Sequence, residues 1–142
     1  IRKKLLKLFS FYHISEERIN FAPNMGRKET LECYNTIDGV LDTFPYNGGT
    51  SSFEASYMGV PIITMDNPMH IMFRCGTSIN SNLGLIDLIA KDENDYVTKA
   101  ITLANKKDLK FRKNLLIDNR KTKLFDIKEF CENFAKTFSK LS

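Results

Sequence analysis

The sequence predicts an α/β fold: a doubly wound, Rossmann-like parallel sheet in three layers, with helices on both faces. Two apolar runs, residues 39–44 (GVLDTF) and 60–65 (VPIITM), are short and bounded by turn residues, as strands covered on both faces are. The segments between and after them carry apolar residues at helical spacing. Strands alternating with helices in this way favour parallel pairing through right-handed crossovers.

Taken in order, residues 2–12 place Leu5, Leu6, Leu8, Phe9 and Tyr12 at helical spacing, and residues 13–15 break that pattern. Residues 18–22 (RINFA) read as a strand, and Pro23 to Gly26 as a loop. A helix is predicted over 27–37, with Leu31, Tyr34 and Ile37 on one stripe. After the strand at 39–44, Pro45 to Gly49 form a loop, and Thr50, Ser51 and Ser52 offer capping hydroxyls to a helix over 53–58. Gly59 stops that helix, and the strand at 60–65 follows. A turn at 66–68 leads to helices over 70–82 and 85–90. Asp92 opens another helix, whose apolar face holds Tyr96, Val97, Ala100, Ile101 and Leu103. Helices at 108–119 and 126–140 complete the chain, the terminal one belonging to residues 126–142. Three strands are few for such a sheet. The chain also begins at Ile1 without a secretory n-region, h-region and cleavage pattern, so it reads as a single domain, 1–142, excised from a longer chain.

Composition narrows the class. Of the 142 residues, 42% are hydrophobic and 27% charged, which excludes a disordered tail or a collagen-like fibre. No apolar run approaches the roughly 20 residues that span a bilayer, so no membrane span is expected. Cys33, Cys75 and Cys131 are too few and too scattered for a disulfide framework or a zinc site, which suits a reducing cytoplasm. His13 and His70 stand far apart, so no metal is expected. The net charge of +4 is uneven: residues 105–142 hold eleven Lys and Arg against five Asp and Glu. A basic part of this kind suits an anionic partner, or simply solvates helix faces.

The informative segment is LDTFPYNGGTSSFEA, residues 41–55. A buried strand ends, a glycine turn follows, and hydroxyl residues open a helix. In open α/β sheets ligands sit beyond the carboxyl ends of the strands. The leading N–H groups of a helix have no intrahelical acceptor and lie at its positive end, so they receive phosphate. Gly48 and Gly49 let an anion approach the backbone, and Thr50 and Ser51 add hydroxyl donors. Glu54, one turn on, would repel phosphate but suits the two hydroxyls of a ribose. Phosphate at the helix tip and sugar hydroxyls one turn along describe a nucleotide. The same string also reads as a turn plus a helix start with Glu54 solvated. It is neither a Walker loop nor a GxGxxG fingerprint.

The longer string LDTFPYNGGTSSFEASYMGVPIITM resembles the signature of the glycosyltransferases related to protein O-GlcNAc transferase and the plant SPINDLY proteins. The likeness extends upstream through RINFAP and residues 27–37, and downstream through residues 83–90, Asp95-Tyr96 and Leu124-Phe125-Asp126. It implies the C-terminal, donor-binding domain of a GT-B enzyme, with the N-terminal GT-B domain lying outside this chain. Helical repeats accompany the catalytic part in much of that family. The resemblance implies inverting, metal-independent and cofactor-free transfer of a sugar, GlcNAc foremost, from a UDP-sugar to an acceptor hydroxyl on a protein or glycan. On this reading nucleic acid is not an expected partner; the alternative is a non-catalytic nucleotide-binding module, or a basic module that binds nucleic acid or another partner.

Carried over by position, the resemblance implies that Gly49, Thr50 and Ser51 grip the diphosphate and Glu54 holds the ribose. It implies that the backbone at Met25 meets the uracil, that Arg27 lies near the nucleotide, and that Asn47 and Gly48 shape the pocket. Arg74 matches an arginine of the following helix. The sequence departs from the family at Thr30, where a histidine is common; threonine can hydrogen-bond but cannot stack on a base or carry a proton. His70 stands one residue too far from Arg74 to match a family ligand and reads as a loop histidine. No catalytic residue is expected in this chain, and Asp42, at a strand end, reads as structural. Phe44, Tyr46, Phe53 and Tyr57 are expected to pack the loop and helix, Cys33 and Cys75 to be buried, and Phe130, Phe134 and Phe138 to form a packing face.

Overall fold

The computed structural model describes residues 1–66, 69, 73–106 and 109–140. The chain divides into two compact units, Ile1–Thr30 and Leu31–Ser142.

The first unit opens with helix α1 (Arg2–Phe11). It ends where His13 turns left-handed at φ 57°, letting the Ile14 amide reach back to the Phe9 carbonyl at 2.9 Å. A short 3₁₀ turn, Glu16–Arg18, follows, and Ile19 is extended. Residues 18–22, expected to form a strand, are not one. Arg18 closes the 3₁₀ turn, and the stretch after it pairs with no strand among the described residues. The Arg2 guanidinium covers the Phe21 ring at 4.7 Å. Helix α2 (Arg27–Cys33) begins in this unit and runs into the second. It is shorter than the expected 27–37, because a 3₁₀ turn, Tyr34–Thr36, finishes it.

The second unit is built on three parallel strands in the order β1 (Val40–Leu41), β2 (Ile62–Met65), β3 (Ile89–Ala90). Val40 pairs with Ile62 and Thr64 with Ile89. Helix α3 (Thr50–Tyr57) connects β1 to β2, and helix α4 (Cys75–Asn82) lies between β2 and β3. Residues 85–90, expected to be helical, form a 3₁₀ turn (Ile86–Leu88) and then β3. A short, mostly apolar run is ambiguous, and pairing with β2 decides it. The expected helix over 70–82 is described from Cys75 onward; residues 70–72, and His70 with them, lie outside the described residues.

Alternation along β2 builds two cores. Ile62 packs with Ala55 and Val60, flanked by Tyr34, Ile37, Val40 and Met58. Ile63 faces the other way, into Ala90 and Tyr96, flanked by Met65, Leu88, Ala100 and Leu103. Both faces of the strand are thus covered, as its mostly apolar sequence predicts. Helix α5 (Glu93–Asn105) supplies the second layer. Asp92 caps it by accepting from the Asp95 amide, and Asp95 in turn accepts from the Lys91 amide at 3.0 Å. That backbone bond, followed by the nearby lysines, holds the Asp95 carboxyl below its ordinary pKa.

Helix α6 (Leu109–Arg120) locks onto α3: buried Asn119 donates to the Ser56 carbonyl at 2.9 Å, and Arg120 donates to the Tyr57 carbonyl at 3.1 Å. Helix α7 (Ile127–Phe138) is capped by Asp126. Its stripe was expected to be a packing face, yet Phe130, Phe134 and Phe138 are 65%, 58% and 64% exposed. They stack on one another along the helix instead, with ring centroids about 6 Å apart. Three aromatics one helical turn apart can meet each other without any second element.

Candidate functional site

The loop from β1 to α3 is held from beneath by one buried carboxylate. Asp42 is 4% exposed and follows β1 directly. Its Oδ1 accepts the Gly48 amide at 2.8 Å, and its Oδ2 accepts the Thr64 hydroxyl at 2.9 Å. Its own carbonyl accepts the Tyr96 hydroxyl at 2.7 Å. Burial first, and the Asp42 charge second, push the Tyr96 phenol up to about 12. The expectation that Asp42 is structural agrees with these contacts.

The tip of the loop closes on itself. The Thr43 hydroxyl donates to the Tyr46 carbonyl at 2.6 Å, and Asn47 donates to the Thr43 carbonyl at 3.0 Å. Asn47 is 3% exposed, so it supports the loop from inside. A side chain at Gly48 would meet the Ser51 and Ser52 hydroxyls; at Gly49 it would meet nothing within 4 Å. Gly48 is therefore needed for packing, whereas Gly49 borders open space.

Helix α3 starts at Thr50, three residues before the expected position. Gly49 is its N-cap, and no side chain caps it, so Thr50, Ser51 and Ser52 are the first helical turn rather than its caps. The Ser52 and Phe53 amides bond to the Gly49 carbonyl at 3.0 and 3.1 Å. The amides of Gly49, Thr50 and Ser51 have no acceptor among the described residues. Thr50 and Ser51 are exposed, and Gly48 and Gly49 half-buried. A helix start of this kind, beyond the carboxyl end of a parallel strand, can receive an anion. Glu54 is half-buried on the same helix. Tyr34 pins this turn by donating to the Ser51 carbonyl at 3.1 Å. Burial, and then the Glu54 charge, raise the Tyr34 phenol above its ordinary pKa.

Arg74 precedes α4 and lies 3.5 Å from the Asp66 carboxylate, both side chains being substantially exposed. Asn47, Gly48, Gly49, Thr50, Ser51, Glu54 and Arg74 all belong to the second unit. Met25, Arg27 and Thr30 belong to the first. The Thr30 hydroxyl donates to the carbonyl of Gly26, the residue just before α2, at 2.9 Å. Sequence reasoning missed Thr64 and Tyr96 as supports of the loop; they lie 22 and 54 residues beyond Asp42. The buried hydroxyl of Thr64 inside an apolar run, VPIITM, was the available signal.

The aromatic residues around the loop mostly pack, as expected. Phe44 meets Tyr96 edge-on at 5.3 Å, and Phe53 and Tyr57 meet Phe125. Tyr46 differs, being 60% exposed. Cys33 and Cys75 are half-buried rather than buried, and all three cysteines are free. Among the described residues no three His, Cys, Asp or Glu side chains converge on a metal position, and no helix is long and apolar enough to cross a membrane.

Comparison with known proteins gives a consistent result. The model of glycosyl transferase family 41 matches residues 2–134. A probable UDP-N-acetylglucosamine–peptide N-acetylglucosaminyltransferase SPINDLY of Petunia hybrida is 32% identical over 97% of the chain, and the one from Eustoma exaltatum 34%. The Caenorhabditis elegans UDP-N-acetylglucosamine–peptide N-acetylglucosaminyltransferase is 28% identical over 84% of it. A solved mutant O-GlcNAc transferase of Thermobaculum terrenum superposes on 83% of the chain and 22% of its own, with a TM-score of 0.73 and 31% identity. The chain spans 15% of the Petunia and Eustoma relatives. With the parallel sheet, the loop beyond β1 and the ordered match over residues 2–134 together, the chain belongs to glycosyl transferase family 41.

Proposed function

We propose that the chain is the donor-binding part of an inverting, metal-independent glycosyltransferase that moves N-acetylglucosamine from UDP-GlcNAc to a serine or threonine hydroxyl of a protein. The observation that carries this reading is the run of open amides at Gly49, Thr50 and Ser51, with Glu54 further along α3, in a chain of this family. The relatives' names supply the donor and the acceptor class.

In the reaction the acceptor oxygen attacks the anomeric carbon from the face opposite UDP. The bond from that carbon to the phosphate oxygen breaks, and UDP leaves with its charge increased. Amides fixed in place before the reaction stabilise that growing charge more than they stabilise the bound donor. On this reading Thr50 and Ser51 add hydroxyl donors to the diphosphate and Glu54 accepts from the ribose. Arg27 and Arg74 supply positive charge, the Met25 backbone meets the base, and Asn47 and Gly48 hold the pocket wall. Thr30 contributes less than a histidine would, since its hydroxyl is spent on the Gly26 carbonyl. No cofactor beyond the donor is required, and the free thiols suit a cytoplasmic enzyme. The base that takes the acceptor's proton belongs to the other half of the enzyme, so this chain alone binds donor and transfers nothing.

A titration of UDP against GDP and ATP tests the assignment. UDP is expected to bind best, with Thr50→Ala and Glu54→Ala each weakening it about tenfold, the effect of one hydrogen bond to a charged group. Equal affinity for UDP and ATP, or no change in both variants, would contradict it.

A further inference from the structure

We propose that Asp42 is the positioning residue of the donor loop, a role that rests on the donor reading above. Three elements meet on this one side chain. Oδ1 holds the loop through the Gly48 amide at 2.8 Å, and Oδ2 holds β2 through the Thr64 hydroxyl at 2.9 Å. The third element is α4: a Cβ added at Gly76, its second residue, would collide with Asp42 Oδ2 and Thr64 Oγ1. Gly76 thus lets the start of α4 close down on the carboxylate. The Asp42 backbone is fixed as well, its amide donating to the Ile63 carbonyl and its carbonyl accepting from Tyr96.

The consequence reaches the candidate site through Gly48. The next residue, Gly49, is the N-cap of α3, and its amide and the two after it are the open ones. A loop free to wander would present those three amides in many orientations. Tying Gly48 to a side chain that is itself tied to β2 restricts them to one. Asp42 is 4% exposed and both of its oxygens are engaged inside the fold, so it acts through the loop and touches neither donor nor acceptor.

The role separates from a chemical one by substitution. Asp42→Asn keeps the shape and the acceptor for Gly48, and its amide can donate to the Thr64 oxygen. Asp42→Ala removes both links, and Thr64→Val removes one while keeping the strand's branched side chain. In the full-length enzyme, amide hydrogen exchange over residues 43–50 and UDP-GlcNAc kinetics are measured together. Asp42→Ala is expected to speed exchange in the loop, raise KM and lower kcat, so that kcat/KM falls about tenfold or more. Asp42→Asn stays within about threefold of wild type in both, and Thr64→Val falls between. Unchanged exchange in both Asp42→Ala and Thr64→Val overturns the proposal. So does a collapse of kcat in Asp42→Asn at unchanged KM, which would make Asp42 a reacting group. Failure of the wild-type enzyme to bind UDP at all sinks the donor reading itself, whereas normal UDP binding by a loosened Asp42→Ala loop sinks the positioning role alone.

Discussion

Tyr96 links two parts of the chain 54 residues apart, its hydroxyl donating to the Asp42 carbonyl at 2.7 Å. Burial, and then the Asp42 charge, push its phenol up from the ordinary value of 10 to about 12. The folded pKa is raised, so the stability it contributes is fully present below pH 10 and is lost as pH rises from 10 towards 12. Tyr96→Phe is expected to cost about 1 kcal/mol at pH 7. Urea unfolding of both proteins at pH 7 and pH 11.5 checks the sign: the advantage of wild type shrinks or reverses at the higher pH, because phenylalanine has no proton to lose. At this scale the loop itself was legible. Glycines and hydroxyls crowded between a strand and a helix pointed to open amides there, beside the plainer reading of a turn and a helix start. Asp42 was legible as structural, but its partners were not, because nothing local in the sequence ties residue 42 to residues 64 and 96. Thr50 and Ser51 were placed as caps by their residue type; the structure gives the cap to Gly49 and makes them the exposed first turn of α3.

Among the elements, both mostly apolar runs were legible as strands, though β1 keeps only Val40–Leu41 of the expected 39–44 and leaves Leu41 exposed, and two short segments were not legible. Residues 18–22 carry a strand composition, and Ile19 is extended, but extended backbone becomes a strand only beside a partner. Residues 85–90 had the opposite fate: an apolar run read as helix pairs with β2 through Ile89 and Ala90. Helix packing sorts substitutions in the same way. Gly59 ends α3 at φ +70°, and a Cβ there would lie 2.7 Å from the backbone of Leu116 in α6. Gly59→Ala is expected to cost about 2 kcal/mol or more, from the left-handed backbone and the collision together. Phe134→Ser, on the exposed stripe of α7, is expected to cost about 1 kcal/mol at most, the loss of its two exposed ring contacts. Thermal unfolding of the two variants side by side tests the ranking; equal losses would contradict the exposure of that stripe.

For the molecule as a whole, the uneven charge divides into internal and free parts. Arg112 donates to the Tyr34 carbonyl, Arg120 donates to the Tyr57 carbonyl and lies 4.3 Å over the Tyr57 ring, and Lys106 covers Phe111. Several cations that suggested an anionic partner thus hold α6 against the body of its own unit. Family and fold were legible over nearly the whole chain, because a strand, its loop and the next helix form one ordered string. The division at Thr30 was not, since α2 runs across it without a break in pattern. The central claim is that the open amides after β1 receive a diphosphate, and residue-resolved NMR during a UDP titration tests it most directly. The largest amide shifts are expected at Gly49, Thr50, Ser51 and Ser52, saturating together, with the amides of α6 and α7 unmoved. Shifts concentrated in residues 109–138, with the loop silent, would contradict it.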